Sequence, residues 1–168
     1  MMKRLLVPLS MLSLLSTGAI FGFFYAWVCS TMWGLDAVDP KVAIAAMQAI
    51  NASVQNAVFF PAFFLTPVIL ALSAFIAVRQ QQRPAALLFA ISAGIYVSGA
   101  FLVTAMIHAP MNNALAQISL PATSETAGQI WQDYSPPWQF WNIIRTVFSG
   151  IALLLAGFAI LSLNTENT

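Results

Sequence analysis

Four long apolar runs separated by shorter polar stretches organise the chain, covering about Leu5–Val28, Val58–Val78, Ala85–Ile107 and Trp138–Leu161. Each is long enough to cross a hydrocarbon core of roughly 30 Å at about 1.5 Å per residue. The pattern predicts an all-α membrane protein, a four-transmembrane-helix bundle. The first run follows Lys3 and Arg4 as a signal peptide would. Its apolar character continues past Thr17, Gly18 and Ala19, so it reads as a retained helix.

The connections carry their own patterns. In "WGLDAVDP" the pair Asp39-Pro40 reads as an N-cap followed by proline at the first helical position. The helix it starts, "KVAIAAMQAINASVQN", sets Gln48, Asn51 and Gln55 on one stripe and Ala43, Met47, Ile50 and Val54 on another. This amphipathic helix extends or precedes helix 2. Continuous helix from Pro40 to Val78 would run about 58 Å, so it projects outward or bends, with Pro61 the expected bend. In "TSETAGQIWQDY" Ala127, Ile130, Trp131 and Tyr134 share one face, with Glu125, Gln129 and Asp133 elsewhere. That predicts a short interfacial helix in the 3–4 connection, stopped by "SPP" before helix 4 starts at Trp138.

Composition supports the membrane reading and narrows the rest. Of 168 residues, 60% are apolar and 7% charged, with a mean hydropathy of +0.84 and net charge of +1. A soluble surface needs several times more charge, and nothing points to nucleic acid. Residues 1–168 read as one integral membrane domain. Lys3, Arg4, Arg79 and Arg83 place both termini and the "RQQQRP" link in the cytoplasm by the positive-inside rule, in the inner membrane if the source is bacterial. Small-residue ladders at Gly18, Gly22, Ala26 and Ser30, at Ala90, Gly94 and Ser98, and at Gly150 and Gly157 predict close packing within the chain. A homodimer seam is the alternative.

The unusual polar residues gather at the end opposite the basic link. His108, Asn112 and Asn113 leave helix 3 there, and Asn142 and Arg145 enter helix 4 there. Trp27, Trp33, Trp131, Trp138 and Trp141 occupy the same level, whereas an anchoring belt would mark both interfaces. Arg145 lies seven residues into helix 4, and the four spans hold no carboxylate. It reaches out to Asp133, Asp36 or Asp39, binds helix-end carbonyls, or faces a ligand oxygen, which its planar donors suit. His108 either caps helix 3 or acts as a general base. The tryptophans either anchor the bundle or hold a planar aromatic substrate. One His and one Cys predict no structural metal and no haem held by a single chain. A proton-coupled exporter is disfavoured because the spans lack a carboxylate.

The stretches "GFFYAW" (22–27), "DPKVAIAAMQAIN" (39–51), "FLVTAMIHAPMNNALA" (101–116) and "WQFWNIIRT" (138–146) resemble the anthrone oxygenase family, small four-helix membrane proteins that include many bacterial members. The resemblance implies a bundle with its motif residues at one end. It also implies oxidation of anthrones to anthraquinones by molecular oxygen, as in the fungal members, without flavin or haem. The motif positions here are Gly22, Tyr25, Trp27, Gln48, Asn51, Pro110, Asn112, Asn113, Trp138, Trp141, Asn142 and Arg145. Residues and resemblance together imply a pocket in which His108 and Arg145 are catalytic. Tyr25, Trp27, Gln48, Asn51, Asn112, Asn113, Trp138, Trp141 and Asn142 would bind a planar aromatic or quinone-type substrate there, with no cofactor. The competing class is a non-catalytic membrane protein that binds a lipid or quinone-like ligand, or an accessory subunit of a membrane complex.

Overall fold

The computed structural model describes residues 5–163, so Lys3 and Arg4 lie outside the described residues. Every described element is helical. Five helices follow one another: α1 (Leu6–Asp36), α2 (Pro40–Ser53), α3 (Phe59–Arg79), α4 (Arg83–Ala116) and α5 (Ser124–Leu161). All but α2 are long and apolar enough to cross a membrane. α1 packs on α3 and α5, and α4 packs on α3 and α5, so the long helices surround one core.

Apolar residues do not distinguish the inward faces from the outward ones, because lipid and core are equally apolar. Small and hydroxyl residues mark them instead. Ser10, Ser13, Thr17, Ser73, Ser92 and Ser149 are all fully buried. Ser13 and Ser73 bond across α1 and α3 at 2.9 Å, and Ser92 donates to the Ala152 carbonyl at 2.7 Å. Gly99 of α4 makes room for Phe148 of α5, since a Cβ there would fall 1.9 Å from its ring.

Pro67 sits inside α3 and cannot donate to the carbonyl one turn back. That carbonyl, on Phe63, accepts instead from the fully buried Tyr96 hydroxyl of α4 at 2.9 Å. The link from α3 to α4 turns at Gln81, whose φ of 61° is left-handed.

Several expectations need correcting. Helix does not run on from Pro40 and bend at Pro61; it breaks at residues 54–58, where the Asn56 side chain accepts from the Val58 and Phe59 amides. "SPP" does not end a separate interfacial helix, because Pro136 and Pro137 lie inside the 38-residue α5. The prolines deprive the Gln132 and Asp133 carbonyls of donors. Both residues are exposed, so those carbonyls have no need of a protein partner. Helix 4 therefore starts at Ser124 rather than Trp138, helix 1 continues to Asp36, and helix 3 continues to Ala116.

Two of the ladders also part from expectation. Gly150 and Gly157 face Phe21 and Leu14 of α1, and Gly18 faces Leu153 of α5. In contrast Gly22, Ala26 and Ser30, and likewise Ala90, Gly94 and Ser98, are exposed on the outside of the bundle.

Beyond the main core, α2 caps the end opposite the Arg79–Arg83 link. The Asp39 side chain accepts from the Lys41 amide at 2.8 Å, which is the expected N-cap, with Pro40 following it. Ala43, Ile44 and Met47 are fully buried in a second cluster with Met32, Leu115, Ala127, Trp131 and Tyr134.

Candidate functional site

Three π-helical turns lie around the space between the two clusters: Trp27–Thr31 in α1, and Tyr96–Phe101 and Thr104–His108 in α4. Such turns insert a residue into the helix and rotate the face that follows. The last ends on His108, with Pro110 two residues on. On α5, Trp138, Asn142 and Arg145 recur at four- and three-residue steps, which places them on one face, and all three are buried.

Arg145 is the centre of the arrangement. Its Nη2 donates to Asn142 Oδ1 at 2.8 Å and its Nη1 to Thr104 Oγ1 at 3.2 Å. Asn142 is itself fixed, donating through Nδ2 to the Phe24 carbonyl at 3.1 Å. The guanidinium carbon sits 4.3 Å from the Phe24 ring centroid and 5.4 Å from that of Trp138, both cation–π distances. The carboxylates offered as alternatives are engaged elsewhere or face away. Asp36 accepts from Trp131 Nε1, Ser135 Oγ and Gln139 Nε2 at 2.7–2.8 Å, Asp39 caps α2, and Asp133 is exposed.

His108, 1% exposed, lies edge-on to Trp138 with ring centroids 5.0 Å apart. Its Nε2 is 3.3 Å from the Trp138 carbonyl, which can only accept, so Nε2 carries the proton and Nδ1 the lone pair. The tautomer is assigned from this bond. Asn112 Oδ1 accepts from Tyr134 Oη at 2.8 Å and Trp138 Nε1 at 3.0 Å, which leaves its amide protons as the free end.

These side chains line a cavity of about 500 Å³ between α1, α2, α3, α4 and α5, within the roughly 300–1,000 Å³ of small-molecule sites. The wall is rich in aromatic side chains: Phe23, Phe24, Trp27, Phe59, Phe63 and Trp138 supply rings. Three wall residues hold a buried polar atom without a hydrogen bond, namely Asn51 Nδ2, His108 Nδ1 and Arg145 Nε. Buried polar atoms are normally paired, so three around one cavity is unusual. Among the described residues, no three His, Cys, Asp or Glu side chains come together.

Of the residues expected at the site, Trp27, Gln48, Asn51, His108, Asn112, Asn113, Trp138 and Arg145 line the cavity. Asn142 stands behind Arg145 and orients it. Gln48 is a tie as well as a wall residue, donating to the Leu115 and Ile118 carbonyls at 2.8 and 2.9 Å. Two residues do not join the cavity. Tyr25 is half exposed and stacks on Phe21 on the outside of α1, and Trp141 packs against Phe140. Tyr25 is two residues from Trp27 and so points to nearly the opposite side of the helix. Thr104, Phe24 and the phenylalanines of "FFPAFF" (59–64) were missed; two Phe pairs at four-residue spacing were the available signal.

A family model described as anthrone oxygenase matches residues 52–155, which include α3, α4 and most of α5. No curated protein and no solved structure gives a significant match to the chain.

Proposed function

Because the chain belongs to the anthrone oxygenase family, we propose that its cavity binds a planar aromatic ketone and oxidises it with molecular oxygen at a carbon acid between two rings. The observation that carries this reading is Arg145: a guanidinium buried against two aromatic rings, in a carboxylate-free wall that holds two other polar atoms without a hydrogen bond. A flat ring system suits the aromatic walls. Its carbonyl suits the donors of Arg145 and Asn51, and its acidic carbon suits the lone pair of His108 Nδ1.

The chemistry follows from that pose. Nδ1 takes a proton from the ring-flanked CH₂, and the electron pair delocalises onto the carbonyl oxygen as an enolate. Arg145 holds this charge in place, an electrostatic contribution that a water-poor aromatic cavity strengthens. Oxygen accepts one electron from the enolate and the two radicals join at the same carbon. The resulting peroxide anion takes the proton back from the imidazolium to give a hydroperoxide. Nδ1 then removes the remaining C–H proton, the O–O bond breaks to leave a second carbonyl, and the departing hydroxide takes that proton and leaves as water. One oxygen molecule is consumed and one water released per ketone, so atoms and electrons balance.

The reading places the four long helices across a bacterial inner membrane, with the Arg79–Arg83 link in the cytoplasm and α2 at the outer interface. A reporter fused after Thr168 should then behave as cytoplasmic, and an exported one would reverse the topology.

Purified protein in lipid nanodiscs with anthrone tests the activity. Oxygen uptake should equal anthraquinone formed and exceed the rate in empty nanodiscs. His108→Asn should lower turnover about 10²–10⁴-fold with little change in binding, whereas Arg145→Gln should weaken both. A wild-type rate equal to that in empty nanodiscs would overturn the enzymatic reading. The non-catalytic alternative, a binder of quinone-like or lipid ligands, is favoured by one feature. The three partnerless atoms are covered by neighbours, so side chains must shift before a ligand touches them. Anthraquinone binding without anthrone oxidation would decide for it.

A further inference from the structure

The cavity is bounded by phenylalanine rings at one end and by α2 at the other. Below, Phe63 stacks on Phe101 at 5.5 Å, and Phe64 meets Phe101 edge-on at 5.7 Å. Above, Met47 and Leu115 pack in the second cluster on one face of α2, and Gln48 ties α2 to the end of α4. Yet the wall includes strongly exposed residues. Phe60 and Phe64 on α3 are 41% and 47% exposed, and Ala105, Ala109, Asn113 and Ala116 on α4 are exposed as well. α3 packs closely on α4 only as far as Phe101. Beyond it the exposed wall residues of α4 are Ala105, Ala109, Asn113 and Ala116, three of them too small to fill the gap.

From this geometry we infer that the cavity opens sideways into the bilayer, through a slit between Phe60 and Phe64 of α3 and Ala105 and Ala109 of α4, and that its ligand enters from the lipid. The slit is graded along its length. Its lower part is phenylalanine and alanine, while Gln55 and Asn113 stand where the break before α3 faces the last turns of α4. A flat apolar molecule with a polar edge, dissolved at the depth of the headgroups, matches that gradient. Apolar ketones of this class partition into lipid, so an opening toward lipid meets them at their highest concentration. The alanines are therefore specificity positions: a bulkier side chain there narrows the path without touching Arg145 or His108. The identity of the ligand rests on the functional reading above; the position of the opening does not.

Two measurements separate them. In the first, anthraquinone binding to protein in nanodiscs is followed by quenching of tryptophan fluorescence. Ala105→Trp should slow association by about tenfold, with Ala105→Leu intermediate. Arg145→Gln should leave association unchanged and speed dissociation. In the second, no ligand is needed. On a Cys29→Ser background, Thr104→Cys places a thiol in the cavity beside Arg145, whose charge favours the thiolate. N-phenylmaleimide, which is lipid-soluble, should label it, and Ala105→Trp should slow labelling about tenfold. A charged methanethiosulfonate should react far more slowly. Failure of anthraquinone to bind the wild type, with this labelling pattern intact, would remove the ligand assignment and keep the slit. Equal labelling by both reagents, unaffected by Ala105→Trp and Ala105→Leu, would overturn the slit.

Discussion

Asn142 holds Arg145 in place from one turn away, accepting from Nη2 at 2.8 Å while its own amide is anchored on the Phe24 carbonyl at 3.1 Å. The two residues act as one unit that spans α1 and α5. Asn142→Leu should release the guanidinium and leave the Phe24 carbonyl without this donor, costing about 1–3 kcal/mol. Thermal unfolding in detergent measures the cost. Anthraquinone affinity should fall with it, and Asn142→Gln should restore neither, because its longer side chain displaces the amide.

The bond from Tyr96 to Phe63 makes a coupled prediction. Tyr96→Phe should destabilise by about 1–3 kcal/mol, because it strands a buried carbonyl. Pro67→Ala supplies the missing helical donor to that same carbonyl, so Tyr96→Phe should cost much less in its presence. A double-mutant cycle on unfolding midpoints reads the coupling. Additive effects would show that Tyr96 stabilises by packing alone.

Gly99 should tolerate nothing larger. Gly99→Ala drives a methyl into the Phe148 ring and should cost about 1–3 kcal/mol through overpacking. Phe148→Leu should recover part of that loss, seen as a partly restored melting temperature of the double variant. By contrast Gly22→Ala and Gly94→Ala, where an added Cβ meets nothing within 4 Å, should be neutral or stabilising.

Asp36 gathers three donors of α5 and fastens the end of α1 to it. Asp36→Ala should lower stability by about 1–2 kcal/mol and shift tryptophan emission to the red as Trp131 loses its partner. Asp36→Asn, which retains one acceptor, should do less.

Much of this architecture is legible before any coordinates. Hydropathy alone finds the four long apolar helices, because an uninterrupted apolar run of that length has few other uses, though not their ends at Asp36, Ala116 and Ser124. The Asp39-Pro40 start of α2 is equally local, since a side-chain acceptor and a missing N–H suffice to define it. The crowding of His108, Asn112, Asn142, Arg145 and the tryptophans toward one end also follows from counting residues along helices.

What required the tertiary structure is direction. In α1 apolar residues surround the helix almost evenly, so periodicity could not tell Trp27, which faces the cavity, from Tyr25, which faces outward. Pro136 and Pro137 look like a stop in the sequence, and only the exposure of Gln132 and Asp133 explains why α5 continues through them. Arg145 had three carboxylates to choose from in sequence. Packing decided for Asn142, Thr104 and two aromatic faces, because Asp36 is held by donors of α5 and the guanidinium lies too deep in the bundle to reach the exposed Asp133. The slit arises in the same way: Ala105 and Ala109 are unremarkable until α3 is seen to part from α4 above Phe101, where side chains too small to fill the gap leave the cavity open at its side.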